Sequence, residues 1–67
     1  MLPHQQRVIE EKRELDDRIE RLMTFLNARM FRELTTGEQS RLRIQLYAMQ
    51  TYGTILGERI VHFDGTE

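Results

Sequence analysis

The chain has no cysteine and no tryptophan, and proline and lysine occur once each, as Pro3 and Lys12. Without cysteine there are no disulfides and no thiolate metal sites. Pro3 suits the first turn of a helix, where its missing N–H costs nothing. No apolar run approaches the ~20 residues of a membrane span, and no secretory signal opens the sequence. His4 and His62 are the only histidines, and neither has an acidic or second histidine partner at a ligand spacing, so no metal site is expected. There is no glycine-rich phosphate loop. Ser40 lies among residues typical of a helix's first turns, not in a nucleophile elbow. The carboxylate pairs Glu10/Glu14 and Asp16/Glu20 lack the apolar pocket that would raise one of them for acid catalysis. No enzyme and no cofactor are expected.

What is present must therefore make a fold without staples. The chain has 67 residues and a formal net charge of -1. A domain of this size hides only ~60% of its unfolded surface. Below roughly 70–80 residues a single core seldom supplies more than ~3–5 kcal/mol. Well-packed helices, or association with other chains, must make up the difference. The near-zero charge speaks against nucleic acid as a partner.

The pattern is helical almost throughout. Leu42, Leu46, Met49, Gly53, Leu56, Ile60 and Phe63 recur at alternating steps of four and three and draw one seam along a helix. Val8, Leu15, Ile19, Leu22 and Leu26 draw another, with Lys12 set between the first two. The expected class is all-α: one domain over 1–67, an antiparallel, coiled-coil-like two-helix hairpin that assembles into a homo-oligomeric bundle. Its helices are expected over about 4–27 and 36–62, with a turn or short helix over 28–35 and a frayed tail over 63–67. Thr35 followed by Glu38 resembles a capping box and starts the second helix. Gly37 eases the break before it. A short connection packs the helices antiparallel, placing Leu26 near Leu42, Leu22 near Leu46, Ile19 near Met49, Leu15 near Gly53 and Val8 near Ile60. Glu14 with Arg18, and Asp17 with Arg21, are i,i+4 pairs in the favourable order.

Several apolar residues are left over. Ile44, Tyr47, Ala48 and Ile55 lie on the back of the second helix, and Ile9, Met23 and Phe25 flank the seam of the first. One hairpin cannot bury both sets, and surplus apolar surface of this kind marks an interface. Ile44, Ala48, Ile55, Met23, Phe25 and the small Gly53 are the candidate contacts between copies. Beside the second seam, Gln45, Tyr52 and Arg59 repeat at steps of seven. Near the hairpin tip, Arg29, Arg32, Arg41 and Arg43 outnumber Glu33 and Glu38, which favours an anion close to a helix start. Tyr47, Tyr52 and Phe31 offer stacking faces. The plainer account is that these arginines pair with the acidic first helix of a neighbouring copy.

One resemblance sharpens the picture. The second helix reads Gln45-x-x-x-Met49-x-x-Tyr52-x-x-Ile55-Leu56-x-x-Arg59-Ile60. The first reads Arg7-Val8-x-x-Glu11-x-x-Glu14-Leu15 and then Ile19-x-x-Leu22-x-x-Phe25-Leu26. Over about residues 5 to 63 the chain resembles small tailed-bacteriophage proteins known as relatives of a crAss-like phage gene product. That resemblance implies a non-enzymatic accessory protein in the cytoplasm of the infected bacterial host, acting against host defence. It would sequester an anionic cyclic nucleotide between copies, a cyclic oligonucleotide immune signal. Tyr52 or Tyr47 would stack on the base, and Arg59 or the tip arginines Arg41 and Arg43 would meet phosphate beside Gln45. The alternative is a protein–protein adaptor that docks the Ile44/Tyr47/Ala48/Ile55 face on a host defence protein and takes no small ligand.

Overall fold

The structure, a computed structural model, describes residues 1–63. Among the described residues there are three helices: α1 over Pro3–Leu26, the single turn α2 over Arg29–Arg32, and α3 over Thr36–Val61. Pro3 occupies the first turn of α1, and Gln5 Oε1 accepts the Leu2 backbone N–H at 3.0 Å, satisfying one orphan donor. At the other end, Asn27 Nδ2 donates to the Met23 carbonyl at 3.0 Å. Thr35 caps α3 by accepting the Glu38 N–H on Oγ1 at 3.1 Å. The reciprocal arm expected of a capping box is replaced, because the Glu38 carboxylate accepts Arg41 Nε at 2.9 Å instead.

α1 and α3 lie against each other in antiparallel order, giving a rod of 47 × 17 × 14 Å. Val8, Leu15 and Leu56 form the buried centre of the contact, with Ile19, Met49, Ile60 and Phe63 packed around them. Leu56 is fully covered. Leu15 and Ile19 both face Gly53, so the two helices meet in the register given by their apolar seams. A side-chain carbon at Gly53 would stand 3.7 Å from each of them, an ordinary contact, so α3 does not need a glycine there for α1 to approach. Gly57 is tighter: the same carbon would sit 3.3 Å from Cε of Lys12. The lysine stem thus lies across Gly57 while its ammonium pairs with Asp16 at 2.9 Å.

A second cluster closes the tip. Phe31 is 2% exposed, and Phe25 meets it edge-on with ring centroids 6.1 Å apart. Gln39 Nε2 ties the connection to α3 by donating to the Leu34 carbonyl at 2.9 Å. At the open end, Gln5 Nε2 donates to the Phe63 carbonyl at 3.2 Å and joins the start of α1 to the finish of α3. Phe63, at the head of the stretch expected to fray, is half-buried against the core; the rest of that stretch, 64–67, lies outside the described residues.

The charged pairs differ from the expected ones. Among the described residues the ion pairs are Lys12–Asp16, Arg29–Glu33 at 3.9 Å and Arg41–Glu38 at 2.9 Å. Glu14–Arg18 and Asp17–Arg21 are not among them; all four side chains are exposed, where a pair is worth little.

Candidate functional site

Tyr52 stands at the centre of the polar face beside the core. It is 43% exposed, and its hydroxyl donates to the carboxylate of Glu11 on the opposite helix. That hydrogen bond raises the Tyr52 pKa above the ordinary tyrosine value. Loss of water around the hydroxyl and the negative charge of Glu11 push the same way, and the nearby Arg59 guanidinium opposes them. Arg59 occupies the last turn of α3, is exposed, and forms no ion pair among the described residues. Gln45, two turns before Tyr52, turns its amide along the helix toward Met49 Sδ at 3.9 Å. The three residues of the sequence row therefore share one exposed side of α3, with Glu11 added from α1. None of them is buried within the hairpin.

Three of the four tip arginines are engaged locally. Arg43 lays its guanidinium 5.0 Å from the centre of the Phe31 ring, a cation–π contact. Arg41 holds Glu38, and Arg29 holds Glu33. Tyr47 is 73% exposed. Ile44 at 67%, Ile55 at 47% and the exposed Ala48 share the outer side of α3, and Met23 is likewise uncovered on α1. Gly53 and Phe25, expected at a contact between copies, are taken up inside the chain: Gly53 is buried against Leu15 and Ile19, and Phe25 packs on Phe31.

One participant, Glu11, is not marked out by the sequence pattern. Glu11 was one acid among many in α1, and only its reach across the hairpin marks it out. Lys12 was visible as a charge inside an apolar seam, but its fit over Gly57 depends on the register of the two helices. Among the described residues no group of three or more histidine, cysteine, aspartate or glutamate side chains is placed to hold a metal ion. Nor is any helix among the described residues long and apolar enough to cross a membrane. The surface concavities are open grooves, one of them lined by Lys12, Asp16, Gln50 and Thr54 on the side of the hairpin that carries Gly57.

The arrangement can present an aromatic face, a guanidinium, an amide and a carboxylate to one small polar molecule or to a second protein surface. It defines a helical-hairpin protein with an exposed row of polar and aromatic side chains on its longer helix. A family model described as Sequestin matches residues 2–62, and the chain belongs to the Sequestin family. No curated protein and no solved structure matches it.

Proposed function

We propose that the chain is a non-catalytic phage accessory protein that captures an anionic cyclic nucleotide used as a defence signal by the infected bacterium, holding it where copies of the hairpin meet. The observation that carries this reading is the exposed side of α3, where Tyr52 and Arg59 stand two turns apart. A base stacks on Tyr52, and Arg59, without an ion partner among the described residues, takes phosphate. Gln45 supplies an amide beside them. The family's name is that of a sequestering protein, and the counter-defence setting is what the sequence resemblance to small tailed-phage proteins implies.

Glu11 makes the site selective. A carboxylate beside Tyr52 repels a phosphate at that end and directs it toward Arg59, leaving the Glu11 end to a donor group of base or ribose. Sequestration needs no chemistry, only tight and stoichiometric binding. Isothermal titration against a panel of cyclic di- and trinucleotides tests the proposal. Heat with at least one of them, lost in Arg59→Ala and Tyr52→Ala, is the expected result. An absence of heat with every member of the panel removes the nucleotide and leaves the adaptor reading, for which the uncovered Ile44/Tyr47/Ala48/Ile55 face is available.

A further inference from the structure

The side of α3 turned away from α1 carries a second seam. Arg41, Ile44, Ala48, Thr51, Ile55 and Glu58 follow one another at alternating steps of three and four, the repeat of a coiled coil, and every one is exposed. This seam is self-complementary when reversed. Laid antiparallel on a second copy, with the centre between Met49 and Gln50, Ile44 meets Ile55, Ala48 meets Thr51 and Arg41 meets Glu58. Small residues at the middle let the backbones approach, branched residues close over either side, and opposite charges finish both ends. The parallel arrangement fails the same comparison, because it stacks Arg41 on Arg41 and Glu58 on Glu58.

We infer that α3 pairs antiparallel with α3 of a second copy of this chain in that register. The neighbouring row agrees with it. Glu38, Gln45, Tyr52 and Arg59 repeat at steps of seven alongside the seam. Reversal brings Arg59 beside Glu38 of the second copy, and Tyr52 beside its Gln45. The contact between Arg41 and Glu38 within one chain is exposed on both sides, so exchanging it costs little. Surface area points the same way. The chain exposes 5310 Å², whereas a compact monomer of its mass exposes roughly 4500 Å². That leaves ample surface on the elongated rod for the ~800 Å² that one partner contributes to a standard interface.

The pairing deepens the proposed function, resting on its clustering of copies and not on its ligand. Gln45 of the second copy completes the row around Tyr52. Glu38 of the second copy takes one edge of the Arg59 fork and leaves the other edge turned toward Tyr52. The site is then incomplete in a single chain.

Engineered cysteines test the register cleanly, because the natural chain has none. I44C and I55C proteins, mixed and oxidised, are expected to give the mixed disulfide dimer, while each alone gives little. Two copies of residue 44 would lie eleven residues, or about 16 Å, apart along the paired helices. Equal cross-linking of I44C with itself would overturn the register. Charge exchange tests it again. R41E and E58R should each weaken the dimer by about tenfold, since each places like charges at both ends. The double variant R41E/E58R should recover wild-type association, with circular dichroism confirming that all three remain helical. A wild-type dimer without that recovery sinks the register alone. A wild-type chain that stays single sinks both the pairing and the clustering behind the proposed site, whereas a failed nucleotide titration touches only the ligand.

Discussion

The hydroxyl of Tyr52 donates to a carboxylate on the other helix, so ionising it would set two negative charges side by side. Its pKa in the folded chain is raised chiefly by the hydrogen bond itself, then by loss of water around the hydroxyl and by the Glu11 charge. The folded state therefore holds this proton more tightly than the unfolded state. The stability gained is fully present below the ordinary tyrosine value of about 10 and is lost as pH climbs through the higher folded value. An ultraviolet titration should show one tyrosine ionising late in the wild type and earlier in Glu11→Gln. An unchanged curve in that variant would break the link to Glu11. Leu56 gives a second test at this scale. It is fully covered, so Leu56→Ala should cost about 2–5 kcal/mol. That is comparable with the whole ~3–5 kcal/mol expected of so small a core. A thermal melt followed by circular dichroism should lose its cooperative step, while the exposed Ile44→Ala keeps the helix content of the folded chain.

Each helix carries its own start and stop signals, and their cost can be measured separately. Thr35→Ala removes the side chain that caps α3 and should destabilise by ~1 kcal/mol in urea unfolding. Gly53→Ala should do the opposite. The added carbon finds ordinary contacts at 3.7 Å, and alanine is favoured over glycine inside a helix by ~0.8–1.0 kcal/mol. A rise of roughly 4–8 °C in Tm per kcal/mol is expected for a chain this short. Gly57→Ala should gain less, because the Lys12 stem must move aside from 3.3 Å. If Gly53→Ala destabilises the chain, the gap between the helices is tighter than described here.

Much of this element-level order can be read without coordinates. Steps of three and four in both helices set the apolar faces, and a short connection leaves one register that buries both. The tip is less legible, since Met30, Phe31 and Leu34 follow no sustained repeat. Its order comes from Phe31 being covered by Phe25 and Arg43. The ion pairs were not legible either. In a helix dense with acids and bases the i,i+4 rule allows several partners, and the one formed at Lys12 is favoured because the stem is already pressed over Gly57.

At the scale of the whole molecule, one face of α3 is taken up by α1 and the opposite face by nothing among the described residues. The sequence shows the surplus as apolar residues off the main seam, and the structure locates it on an exposed stripe of a 47 Å rod. The row Gln45/Tyr52/Arg59 was likewise visible as a repeat of seven. Its carboxylate was not, because Glu11 reaches Tyr52 from a helix level several residues away and no local spacing records that reach. The proposed function and the inferred pairing both take the hairpin as half of a binding unit, the rest coming from another copy. Sedimentation equilibrium of the wild-type chain across the micromolar range tests this most directly. A mass of at least twice 8.1 kDa is the predicted result. A folded particle that remains at 8.1 kDa throughout would contradict it.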